Sequence, residues 1–172
     1  MVDDLTERAQ SARNKLEDLM AKIPGVGAYQ EKEKRRDADK LLRLHVARRS
    51  EEQLARLNEV QFQLTSQGRL DVTLLLERAA TKLQLLIDRL KTASYGYSGF
   101  FDTVKVEEDE LDKLYRFDER MLDASDELEI TMGRLVEAMQ GEEPLAEQAN
   151  GLIRQLENLN DTYTKRQDVL LG

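Results

Sequence analysis

From Val104 to Met139 the chain repeats every seven residues with no proline to interrupt it, and this stretch limits the fold more than any other. One seam position holds Val104, Leu111, Asp118, Ser125, Met132 and Met139; the other holds Glu107, Leu114, Met121, Leu128 and Leu135. Alternating steps of three and four residues keep one stripe turned toward a partner helix, as in a coiled coil. Such a seam predicts a long helical object rather than a compact pocketed one. The rest of the composition agrees: 35% of residues are charged, only 5% are aromatic, and Pro24 and Pro144 are the two prolines. That leaves little material for a wide core and favours long helices packed along narrow seams.

Apolar spacing divides the 172 residues into about five helices. The first runs from about Asp4 to Lys22, with Leu5, Ala9, Ala12, Leu16, Leu19 and Ile23 in its stripe, and ends at Pro24-Gly25. The second runs from about Ala28 to Ser66 through Ala38, Leu42, Val46, Leu54, Leu57, Val60 and Leu64, with Gly68 as its stop. A helix start at Ser50 to Gln53 is weighed against continuity, and the lack of glycine or proline between Ala28 and Gln67 favours one helix. The third, Asp71 to Ser94, is the most apolar, and its wide apolar face, spread over Val72, Leu74, Leu75, Leu76, Leu83, Leu85, Leu86 and Leu90, makes it the candidate for the centre of the bundle. The fourth, Asp102 to Gln140, contains the heptads. The fifth begins at Pro144, which suits a first helical position, and continues to Leu170 with Leu145, Ala149, Leu152, Leu156, Leu159, Tyr163 and Arg166 in its stripe.

The expected fold is therefore all-α, an elongated antiparallel helical bundle with coiled-coil-like packing. Its parts are an N-terminal amphipathic helix (1–23), a three-helix antiparallel body (28–140) and a C-terminal amphipathic helix (144–171). Short connections favour antiparallel neighbours. The two terminal helices either cover the body or reach other molecules.

Three features bear on function. Tyr95-Gly-Tyr-Ser-Gly-Phe-Phe-Asp102 places four of the nine aromatics, Tyr95, Tyr97, Phe100 and Phe101, at the junction of helices three and four. The rings either plug the end of the bundle or form an exposed tip for a partner or a membrane interface. A basic stretch carries Lys32, Lys34, Arg35, Arg36, Lys40, Arg43, Arg48 and Arg49 against three acids, a net of about +5 in a chain whose total is −8. It is either a face paired with acidic helices or an anion site. The stretch from Asp102 to Glu129 holds twelve acids and four bases. Acid and base stretches in separate helices offer a way to set register within or between molecules. Asp118 falls on the seam, where a carboxylate costs free energy unless paired. It reads as a residue that fixes register, with Arg43 or Arg36 as its partner if helices two and four run antiparallel.

The net charge of −8 argues against a nucleic-acid binder. With no cysteine there are no disulfides, thiol nucleophiles or thiolate sites, which fits the cytoplasm. The first residues lack an apolar signal core, and no apolar run approaches the roughly 18 residues of a membrane span. A lone His45, with no Glu-x-x-His pair and no phosphate loop, points to neither a catalytic nor a metal site, and no cofactor is expected. The function expected is a non-enzymatic helical scaffold or adaptor, acting through protein–protein contact and self-association, with helices one and five making the contacts. The alternative is a peripheral membrane protein that sets Lys32–Arg49 and the aromatic tip on anionic lipid.

Overall fold

Gly68 makes the first corner. It sits at φ +74°, in the left-handed region where a residue without Cβ is unstrained. Around it Gly68 N–H donates to the Thr65 carbonyl (3.0 Å) and Arg69 N–H to the Leu64 carbonyl (2.9 Å). These are the two bonds of a Schellman cap, which satisfy carbonyls that the helix end would otherwise orphan. The chain reverses there, and two long helices lie side by side.

The computed structural model describes residues 2–23, 32–93, 108–141 and 144–171, and all regular structure among them is helical. The helices are α1 (Val2–Ala21), α2 (Lys32–Ser66), α3 (Leu70–Thr92), α4 (Glu108–Gln140) and α5 (Leu145–Leu171). α2 is unbroken through Arg49. The heptad seam of α4 is buried from Leu111 through Leu114, Asp118, Met121, Ser125, Leu128 and Met132 to Leu135, and Met139 is half-buried. Val104 and Glu107 lie outside the described residues.

α2 packs on α3, α3 on α5, α5 on α4 and α4 on α2, so four helices close a ring around the core. Each hairpin, α2–α3 and α4–α5, is antiparallel. Between hairpins the order differs. Asp39 and Asp118 bind the same arginine, and ten residues further along α2, Arg49 binds Asp126 and Glu129. Residue numbers rise together, so α2 and α4 run parallel. Lys82 with Glu157 and Arg89 with Thr164 show the same for α3 and α5.

The core has two halves. Near the Gly68 corner, Leu57, Leu64, Leu76, Leu83, Met132, Leu135, Leu152 and Leu156 meet. Toward the other end, Leu42, Val46, Leu86, Leu90, Met121, Leu159 and Tyr163 form the second half. A fully buried leucine contributes about 1.5–3 kcal/mol, so these stripes carry most of the stability. α1 lies on α4 and adds Leu19, Met20 and Ile23 to the second half, beside Leu111, Tyr115 and Leu122. Lys15 pairs with Asp112 at 2.8 Å, and Lys22 lies 3.8 Å from Glu119, one heptad further along both helices.

Two expectations change. α5 is a full member of the bundle: Leu145, Ala149, Leu152, Leu156, Leu159, Tyr163 and Leu170 are all buried within the chain, so this stripe is not left for a partner. α3 is not central. Its inner residues Val72, Leu76, Ala79, Leu83, Leu86, Ile87 and Leu90 are buried, but Leu74 and Leu85 face outward. In a ring of four helices each member contacts two neighbours and keeps an outer side in solvent, however apolar that side is.

Candidate functional site

Two constellations stand out, one inside the bundle and one on its surface. The inner one is a layer of four charged side chains in the second half of the core. α2 brings Asp39 and Arg43, one helical turn apart and 3.0 Å from each other. α4 brings Asp118 and α5 brings Arg166, which is completely buried. Arg166 Nε donates to Asp118 at 2.5 Å, and Arg166 Nη2 donates to Asp39. Arg43 Nη1 donates to the Leu90 carbonyl at 2.8 Å, tying α3 into the layer. Two carboxylates and two guanidiniums balance, which is the condition for burying charge. Arg166 Nη1 is buried without a hydrogen-bond partner.

Burial pushes the Asp118 carboxyl up to about 6, against the pull of the Arg166 charge and its hydrogen bond. For Arg166, burial acts to lower the value, but the charges and hydrogen bonds of Asp118 and Asp39 outweigh it and raise it above its usual range. Arg166 therefore stays charged. The geometry of the layer suits register fixing: each acid meets the guanidinium of α5 at one height of the bundle, so a one-turn slip of α2 or α4 strands a buried charge.

The expected partner of Asp118 was Arg43 or Arg36. The structure corrects this to Arg166. Arg43 is turned back onto Asp39 of its own helix and onto α3, and α2 runs parallel to α4 rather than antiparallel. The side chains of Lys32, Arg35 and Arg36 lie outside the described residues, as do Tyr95, Tyr97, Phe100 and Phe101. The remaining basic residues do not form one cationic face. Arg43 is buried. Arg49 is half-buried and held by Asp126 and, at 2.8 Å, by Glu129. Those acids raise its value, although burial pulls the other way. Arg48 is exposed and 3.4 Å from Glu52, and Lys40 is exposed. His45 is half-buried, and burial together with Arg49 and Arg48 lowers its imidazole value.

The outer constellation was not anticipated. Six large apolar side chains among the described residues are exposed: Leu44 (40%), Phe62 (69%), Leu70 (61%), Leu74 (65%), Leu85 (52%) and Ile130 (55%). Five of the six belong to α2 and α3, so the apolar surface is concentrated on one hairpin. Leu44 and Phe62 are about five turns apart, and Leu74 and Leu85 about three, so the members of each pair point the same way. Between the two helices runs an open groove of about 820 Å³, lined by Leu54, Phe62, Ala80, Leu85, threonines and amides. Glu77 and Asp88 are its charged lining residues.

The α4–α5 side, across the ring, differs. Its groove of about 580 Å³ is lined by Ile130, Arg134, Arg154 and Glu127 among polar residues. Sequence reading counted Leu74 and Leu85 into the apolar face of α3 and left Phe62 out of the α2 stripe. The off-stripe position of Phe62 was the available signal for an outward ring.

Among the described residues no group of three His, Cys, Asp or Glu side chains is placed to hold a metal ion, and no helix is long and apolar enough to cross a membrane. The fold and these two constellations define an all-α four-helix ring with an appended N-terminal helix. Comparison of the chain with protein-family models, with curated proteins and with solved structures finds no match.

Proposed function

We propose that the chain is a non-enzymatic helical scaffold or adaptor of the cytoplasm, and that it works through protein–protein contact at the outer face of α2 and α3. The supporting observation is that, among the described residues, five of the six exposed large apolar side chains lie on this one hairpin. Single exposed apolar residues are ordinary on protein surfaces, but their concentration on one side of a molecule, with Phe62 and Leu85 lining one groove, points to an interaction site. The inner sides of both helices are anchored in the core, and the charged layer holds α2 in register with α4 and α5. A face held this rigidly loses little conformational entropy on docking. The contact surface in this reading is the α2–α3 face, in place of the helix-five stripe expected from sequence.

The test is a photo-crosslinking residue placed at Phe62, with Asp123 on the exposed side of α4 as control position. Protein adducts at 62 that are lost when Leu85→Glu is added support the reading. Adducts at 62 no more abundant than at 123, or insensitive to Leu85→Glu, refute it.

A further inference from the structure

We infer that the occupant of the α2–α3 face is the same face of a second copy of this chain, joined by a two-fold axis along the bundle. The inference rests on the protein-contact reading above and adds the identity of the partner. Three observations carry it.

The first is area. Phe62, Leu70, Leu74 and Leu85 are each more than half exposed, and together present on the order of 400–500 Å² of apolar surface. Two such faces remove roughly twice that from water. With a polar rim the sum reaches the roughly 1,200 Å² at which specific interfaces begin. The second is symmetry in the hairpin. Phe62 lies six residues before Gly68 and Leu74 six after it, so the two stand at matching heights on neighbouring antiparallel helices. A two-fold axis parallel to the bundle lays α2 of one copy over α3 of the other at the same height. Phe62 then meets Leu74 of the second copy, and Leu74 meets its Phe62. One self-complementary contact is made twice, which closes the assembly at two.

The third is the comparison of faces. The α4–α5 side offers Arg134 and Arg154 to the Glu77 and Asp88 of the groove, so a head-to-tail stack is the electrostatic competitor. Among the described residues that side carries a single exposed large apolar residue, Ile130, and would leave Leu70 and Leu74 against polar surface. Exposed ion pairs are individually weak, whereas each buried aromatic or leucine is worth several times more. The symmetric contact therefore wins. Held by apolar burial, it does not weaken with salt, whereas a stack held by Arg134 and Arg154 does.

The test is sedimentation equilibrium across the micromolar range at low and high salt. The native chain is expected to reach twice the monomer mass and stop there, with equal or tighter association at high salt. A chain with Phe62→Lys and Leu74→Lys, and another with Phe62→Glu and Leu74→Glu, are each expected to dimerise on the order of 100-fold more weakly. Mixed together they are expected to associate more tightly with each other than either does with itself, since each lysine then faces a glutamate instead of a like charge. All four substitutions are at exposed positions, and an unchanged melting curve shows that they leave the fold intact. Ile130→Glu is expected to have no effect.

A native chain that stays monomeric, mass that grows past the dimer, a mixed pair that associates no more tightly than either variant alone, or an Ile130→Glu effect as large as that of the paired variants overturns the inference. If the native chain is monomeric while crosslinks at position 62 still capture other proteins in a Leu85-dependent way, the second-copy inference falls alone. If those crosslinks are also absent, the protein-contact reading falls with it.

Discussion

Replacing Arg166 by methionine removes a guanidinium that joins three helices. In the native layer its Nε binds Asp118 and its Nη2 binds Asp39. Asp39 keeps Arg43 at 3.0 Å, so the uncompensated charge in the variant falls mainly on Asp118, which is buried. Breaking a buried pair by removing one member costs about 3–5 kcal/mol. That is a large part of the roughly 5–15 kcal/mol that holds a domain folded. The Asp118 carboxyl escapes part of this cost by taking a proton, so the loss is smaller at acid pH and grows toward neutrality. A double variant, Arg166→Met with Asp118→Leu, leaves no stranded charge and fills the space with apolar atoms. It is expected to return to within about 1 kcal/mol of the native chain, or above it. The assay is urea unfolding followed by far-ultraviolet circular dichroism, with equal slopes required so that midpoints compare directly. A single variant that costs under about 1 kcal/mol, or a double variant no better than the single, refutes the claim that the layer is held by this charge pairing.

The same layer predicts a pH dependence. The Asp118 value is raised on folding from 3.8 to about 6, so its contribution is fully present below the unfolded value and is lost as pH rises through about 6. Asp118→Asn should remove this slope, which is at most one proton or about 1.4 kcal/mol per pH unit. Equal slopes for the native chain and the variant between pH 4 and 6 would contradict the burial argument. Gly68→Ala meets no atom within 4 Å, so its cost is that of the left-handed backbone alone, about 1–2 kcal/mol by thermal or urea unfolding. No loss of stability there means the corner does not need its positive φ.

Much of this fold is legible in the residues because helical periodicity is a local property. The heptad positions of α4 from Leu111 to Leu135 are all buried, with Tyr115 and Leu122 buried beside them where α1 lies, and the stripe of α5 from Leu145 to Leu170 is buried. Gly68 stops α2 for a reason visible in its chemistry. Periodicity says which side of a helix is covered, however, and not by which neighbour. Antiparallel consecutive helices already make α2 and α4 run the same way, but that they are neighbours, with Arg166 of α5 reaching both, depends on how the two hairpins are laid together across the ring. For that reason Asp118 was matched with an arginine of α2, while Arg166 stood in plain view as a charge in an apolar stripe. Leu74 and Leu85 show the complementary problem. An outward leucine and a core leucine are the same residue in a list, and only closure of the four-helix ring separates them. Two charged stretches that looked like surface features were also resolved by geometry, since Arg43 turns inward and Arg49 bridges to the acids of α4.

The central claim is that the α2–α3 face is the surface this molecule uses. Concentration-dependent radical footprinting measures it residue by residue on the native chain. Phe62, Leu74 and Leu85 are expected to lose reactivity as the protein is concentrated, while Ile130, exposed to a similar degree on α4, keeps its reactivity. Unchanged labelling of Phe62, Leu74 and Leu85 at every concentration, or protection appearing at Ile130 instead, would contradict the account.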